Sequence, residues 1–84
     1  MLLDITGKTA LVAGSTQGIG FAIATELALL GARCILIARN EEALKTAITK
    51  LDTAKGQQHG YLVADFQHPE QVRETVNAFV QENT

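Results

Sequence analysis

Gly14-Ser15-Thr16-Gln17-Gly18-Ile19-Gly20 separates two segments of different period. Before it runs Lys8 to Ala13, a short run of strand length whose Ala10-Leu11-Val12-Ala13 is wholly apolar. After it, Ile19, Ile23, Leu27 and Leu30 recur at helical spacing. A strand that hands over to a helix across a glycine-rich turn leaves the first backbone N–H groups of the helix without partners. Those groups and the helix dipole favour an anion in front of them. Glycine lets the chain turn sharply there and come close to a diphosphate with no side chain between. The turn therefore reads as a place for phosphate, and the chain as a dinucleotide-binding half-domain.

The same alternation continues to the end. Gly31 stands where a helix closes with a left-handed residue. Arg33 to Ala38 is a second apolar run, with β-branched Ile35 and Ile37. Asn40 is placed to cap a second helix, Glu41 and Glu42 sit in its first turn, and Leu44, Ile48 and Leu51 form its apolar stripe. Gly56 to Gly60 is a polar turn before a third strand, Tyr61 to Ala64. Pro69 suits the first position of a third helix, with His68 at the cap and Val72, Val76, Phe79 and Val80 on its apolar face. The order β-α-β-α-β-α predicts a parallel sheet with right-handed crossovers and strands covered on both faces. We expect one α/β unit over residues 1–84, with no repeat or linker.

At 84 residues the chain makes at most one domain, and one of marginal stability. A net charge of −2 with no basic run argues against nucleic acid or an anionic membrane as the main partner. The single cysteine, Cys34, cannot form an internal disulfide, and its apolar surroundings in the sequence make it a buried hydrophobe in a reducing compartment. There is no basic leader or long apolar segment, so a cytoplasmic location is expected.

The glycine spacing G-x-x-x-G-x-G departs from the G-x-G-x-x-G of the standard dinucleotide fingerprint. In this context it resembles the short-chain dehydrogenase/reductase family. The stretch Gly7 to Gly20 is similar to that family's opening, and Ala64-Asp65-Phe66 to the end of its third strand. The resemblance runs from about Leu3 to Glu82 and implies a Rossmann-type fold with strand order 3-2-1, the first half of a doubly wound sheet. It assigns Gly14 to Gly20 to the adenosine diphosphate part of the cofactor. Gly14 makes the tight turn, Gly18 and Gly20 allow close approach and helix packing, and the Ile19 N–H faces the pyrophosphate. Ser15 and Thr16 offer hydroxyls to ribose or phosphate. Ala13 stands where the family usually has threonine, which removes a hydroxyl that braces the turn.

Cofactor choice is read at the end of the second strand, where a carboxylate bonds the ribose 2′-OH of NAD and an arginine accommodates the 2′-phosphate of NADP. Here stand Ala38-Arg39-Asn40, with no acid at that point. Arg39 is a permanently charged planar fork suited to phosphate, so NADP(H) is favoured, with NAD(H) as the alternative. Gln17 is neutral where some NADP-using relatives carry a second basic residue. By resemblance Asp65 accepts from the adenine amino group with the Phe66 backbone nearby. The plainer reading of Asp65 is a turn or capping residue.

His59 and His68 are not at metal-ligand spacing with any cysteine or acid. Tyr61 is the only tyrosine, and Asp65 stands four residues on, where the family's catalytic Tyr-x-x-x-Lys has lysine. The family's serine and its asparagine–alanine–glycine motif are also missing. The resemblance therefore implies that these residues form the N-terminal part of a longer reductase of alcohols or carbonyls, such as a 3-oxoacyl or other ketone reductase. This part by itself is expected to be inactive, and its substrate to require the rest. Stopping after the third helix makes the first strand an edge, so a homo-oligomer or association through that strand is expected. The alternatives are a nucleotide-binding regulator without turnover and a remnant that binds nothing stably.

Overall fold

The computed structural model describes residues 7–14 and 16–82. Six elements alternate along them: β1 (Thr9–Ala13), α1 (Gly18–Leu29), β2 (Arg33–Ala38), α2 (Glu41–Ile48), β3 (Gly60–Val63) and α3 (Pro69–Glu82). The strands form one parallel sheet in the order β1-β2-β3, with β2 in the middle. The expected βαβαβα order and 3-2-1 arrangement are both present. None of the helices among the described residues is long and apolar enough to cross a membrane.

Residue parity along β2 divides the sheet into two faces. Cys34 and Leu36 point to one side and join Val12, Ala24, Ala28, Leu44, Ala47 and Leu51 in the main core. That face is covered by α1 and α2. Ile35 and Ile37 are buried on the other side, where Arg33 lies over the Phe79 ring of α3, 5.7 Å from its centroid. The chain is thus three layers, helix on sheet on helix. Only β2 has the continuous burial expected of a strand covered on both faces. In β1, Val12 alone is fully buried and Leu11 is 41% exposed, because β1 is an edge strand.

The apolar stripe expected on α1 faces the core only in part, through Leu27. Ile19 is 81% exposed and Ile23 49%, whereas Ala24 and Ala28 are fully buried. Phe21 and Leu27 pack partly against the same core. The helix is apolar nearly all round, so periodicity does not single out one face. Close approach of the helix to β1 and β2 selects the face with the smallest side chains. On α2 the expectation holds for Leu44, with Ala47 buried beside it and Ile48 half-buried, while Leu51 is buried in the same core but lies beyond the end of the helix. In α3, Val72, Val76 and Phe79 are half-buried and Val80 is exposed, so this helix has no fully buried residue.

The connection from α2 to β3 is fastened by side chains. The Cys34 N–H donates to His59 Nδ1 at 2.9 Å, and His59 Nε2 lies 2.7 Å from the Asp52 carbonyl oxygen. An acceptor role for Nδ1 leaves the proton on Nε2, which donates to Asp52. Gln57 Nε2 donates to the Ala28 and Ala32 carbonyls at 2.7 and 3.2 Å, and Arg33 Nε to the Gln58 carbonyl at 2.7 Å. His59 is therefore a structural histidine, and among the described residues no His, Cys, Asp and Glu cluster could hold a metal.

The α1 packing gives a contrast that urea denaturation can read. Ala24→Leu, at a fully buried site, is expected to cost about 1–3 kcal/mol through overpacking. Ile23→Ala, on the exposed face, is expected to change stability by about 0.5 kcal/mol or less.

Candidate functional site

The register sets the site. Ala13 pairs with Ile37 and Ala38 with Val63, so the three strands end at one level. The ladder continues one residue further on each side. Gly14 N donates to the Ile37 carbonyl at 2.8 Å, and Ala64 N to the Ala38 carbonyl at 2.9 Å. Gly14, residues 39–40 and residues 64–67 are therefore held side by side along the C-terminal edge of the sheet.

Gly14 and Gly18 have φ of 62° and 68°, a left-handed conformation that side chains resist. Among the described residues, no atom outside the adjoining backbone and neighbouring residues lies within 4 Å of where a Cβ would stand at either. The glycines are required by the backbone, and the space before them is open. Gln17 takes the N-cap position of α1 with an extended backbone and gives no side-chain cap. The N–H groups of the first turn thus have no side-chain acceptor among the described residues. Ser15 lies outside the described residues.

At the end of β2, Asn40 caps α2 as expected, its Oδ1 accepting from the Ala43 N–H at 3.0 Å. Arg39 is exposed and makes no hydrogen bond or ion pair with the described residues. Glu41 and Glu42 begin α2, where the dipole favours them. After β3, Asp65 Oδ1 accepts from the Gln67 N–H at 2.9 Å, and the Asp65 N–H donates to Gln71 Oε1 at 3.2 Å. One carboxylate oxygen is thus used in a local turn, the plainer of the two readings of this residue. The other, Oδ2, lies 4.0 Å from His68 Nε2, an ion pair only when the imidazole is protonated. The His68 carbonyl accepts the N–H of Val72 at 3.2 Å, so His68 does precede the first turn of α3.

Two surface depressions collect the expected residues. One, of about 380 Å³, is lined by Gly14, Ala38, Arg39, Asp65 and Phe66 among others. The other, of about 600 Å³, lies between the glycine turn and α2, with Thr16, Gln17, Gly18 and Asn40 in its wall. Arg39 and Asn40, consecutive in sequence, each line one of them. Ile19 and Gly20 line neither. Ile19 belongs instead to an apolar patch on the outer face of α1, with Ala22, Ile23 and Leu27.

One contact was not foreseen. The Tyr61 hydroxyl donates to Glu41 Oε2 at 2.9 Å, across from β3 to the start of α2. Tyr61 is half-buried against the main core, and only its oxygen reaches the edge of the site. The hydrogen bond to Glu41 raises the pKa of the phenol, with smaller contributions from burial and from the charges of Glu41 and Glu42. The signal in the sequence is weak, because the two residues are 20 apart and meet only through the β2–β3 register. Cys34 is buried as expected, with its thiol against the Ala24 carbonyl at 3.4 Å, and burial pushes its pKa up.

Because the chain has one tyrosine and no tryptophan, the phenol can be titrated by absorbance near 295 nm. Its ionisation is expected above the ordinary value of about 10, and Glu41→Gln is expected to bring it back towards that value. The sign follows for stability. A raised folded pKa means that the Tyr61–Glu41 contribution is fully present below about pH 10 and is lost as pH rises through the folded pKa.

Comparisons with known proteins agree with this geometry. The chain is 49% identical over 45 residues to the 3-oxoacyl acyl-carrier-protein reductase of Rickettsia prowazekii, covering 54% of this chain and 19% of that protein. It is 43% identical over 65 residues to an inactive hydroxysteroid dehydrogenase-like protein 1 of Pongo abelii, covering 77% of this chain and 20% of that protein. The crystal structure of L-sorbose reductase from Gluconobacter frateurii, complexed with NADPH and L-sorbose, superposes with a TM-score of 0.80 at 36% identity. That match covers 93% of this chain and 30% of the reductase. The chain thus spans a fifth to about a third of the length of these relatives. The short chain dehydrogenase family model matches residues 8–84, and the chain belongs to that family.

Proposed function

We propose that residues 1–84 are part of a cofactor-binding Rossmann domain that takes NADP(H) in preference to NAD(H). The observation that carries this is Arg39. It stands at the end of β2, unpaired among the described residues, beside the depression shared by Gly14, Asp65 and Phe66. Asn40 and the glycine turn lie on its other side. A 2′-phosphate is a dianion that a guanidinium can hold bidentately, and no carboxylate occupies position 39 or 40 to bond a ribose 2′-OH instead. The presence of NADPH in the L-sorbose reductase crystal supports the same choice.

In this reading Gly14, Thr16, Gln17, Gly18, Ile19 and Gly20 receive the diphosphate, together with Ser15. Asp65 and the Phe66 backbone border the adenine. A bound nicotinamide cofactor supplies or accepts a hydride, and the residues here fix its adenosine end. The whole protein acts as an oxidoreductase on an alcohol or carbonyl, a ketone reductase in class, in a reducing compartment such as the cytoplasm. The likeness to a 3-oxoacyl reductase supports that class. Residues 1–84 supply no proton relay of their own. The exposed β1 edge, with Leu11 open to solvent, is where further chain or a second copy adds to the sheet.

A second reading is a nucleotide-binding module without turnover. The 43% identity to the inactive hydroxysteroid dehydrogenase-like protein supports it. The two readings differ in whether NADPH is consumed or only stabilises the full-length protein.

Arg39→Ala is expected to weaken NADPH binding roughly 10- to 100-fold, the size of a lost charge-assisted contact, and to change NADH binding by no more than about 2-fold. Fluorescence titration of both cofactors reads the difference. Equal losses for the two would reject the 2′-phosphate assignment.

A further inference from the structure

Two acids follow Arg39 within three positions, yet neither is paired with it. Glu41 accepts the Tyr61 hydroxyl at 2.9 Å. Glu42 leans along α2 to Lys45, whose Nζ is 3.8 Å from its Oε1. Arg39 is left without a hydrogen bond or ion pair among the described residues. The Glu42–Lys45 pair is an exposed contact on one helix, and such pairs are weak. The Glu41 contact is of another kind, because its donor is fixed. Tyr61 is held in β3 opposite Leu36, and its ring packs on the main core beneath α2. A rigid aromatic stem therefore presents one hydroxyl at the first residue of α2, and a phenol of ordinary pKa about 10 keeps its proton through the neutral range.

We propose that Tyr61 is a positioning residue for cofactor choice: by holding the Glu41 carboxylate, it keeps the nearest acid off Arg39 and away from the 2′-phosphate. The inference rests on the reading of Arg39 given above. Without the hydroxyl, the Glu41 carboxylate has no other hydrogen-bond partner among the described residues. Its side chain is then able to turn towards a guanidinium two positions back. There it neutralises the cation that is to meet a dianion, and it brings an acceptor to where a ribose 2′-OH would lie. Both effects act against NADPH and neither acts against NADH. The main-chain geometry is untouched, since Asn40 caps α2 independently through the Ala43 N–H.

The test is a mutant cycle in the full-length protein that carries this chain, with dissociation constants for NADPH and NADH measured by fluorescence titration. Tyr61→Phe is expected to lower the NADPH-over-NADH preference about 3- to 5-fold, the scale of one exposed charge pair. Tyr61→Phe combined with Glu41→Gln is expected to restore it. Glu41→Asp, which keeps the charge but is too short for the hydroxyl, is expected to lower it like Tyr61→Phe, and it serves as the readout if Tyr61→Phe melts early. An unchanged preference in Tyr61→Phe and Glu41→Asp overturns the proposal. So does an equal loss for both cofactors, or a failure of Glu41→Gln to rescue, since a merely structural tyrosine would give either. Arg39→Ala, measured alongside, separates the two claims. If it weakens both cofactors alike, the Arg39 reading itself falls; if it selectively weakens NADPH while the Tyr61 variants do nothing, only the role of Tyr61 falls.

Discussion

The parallel pairing of β2 with both neighbours is the constraint on which everything else depends. β2 is buried on both faces and shares a register with β1 and with β3. That double pairing brings the ends of three strands to one level. Three loops from distant parts of the sequence then lie side by side, with Gly14 and Ala64 tied to the ladder by backbone hydrogen bonds. A one-residue slip of either neighbour would turn its inward side chains to the opposite face, so the hydrophobic pattern that builds the core also fixes the site.

Most of the backbone was legible in the sequence because its signals are local. Strand β2 was bounded by Gly31 and Asn40, α2 announced its cap, and α3 began at Pro69 as its fixed φ suggests. The glycine turn was legible for the same reason. The faces of the elements were not. The spacing of Ile19, Ile23, Leu27 and Leu30 was helical, but α1 carries apolar residues on every side. What decides its contact face is the small volume of Ala24 and Ala28 against the sheet, a property of two packed surfaces that one segment cannot reveal.

The same division holds at the site. Arg39, Asn40 and the glycine turn could be placed at the candidate site because each is fixed by its own position at the end of a strand or the start of a helix. Asp65 could be named, and the duty the structure shows for it is the plainer one: one oxygen of its carboxylate closes a turn with Gln67. Tyr61–Glu41 and His59–Cys34 could not be named at all. Both join residues 20 or more positions apart, and both require the strand register before the partners meet. His59 is a particular case. A histidine near a cysteine in the fold suggests chemistry, but here the cysteine supplies only its backbone N–H, and the ring fastens a loop.

Charge explains why so small a site can discriminate. The glycine turn contributes backbone dipoles and no charged side chain, so by itself it would not tell one diphosphate from another. On the proposed NADP(H) reading, discrimination between two dinucleotides falls to ionisable groups near the end of β2, among them Arg39, Glu41 and Glu42. The acids stand where the dipole of α2 favours them, so they stabilise the helix whose cap also borders the site. Their cost is a negative field beside the one cation that a 2′-phosphate needs. Glu41 is held by a core tyrosine and Glu42 lies near a lysine on its own helix, so the stabilising charge is kept while neither acid pairs with Arg39. On the proposed reading the first turn of α2 serves both fold stability and ligand choice, and the side chains that reconcile them lie outside the glycine turn.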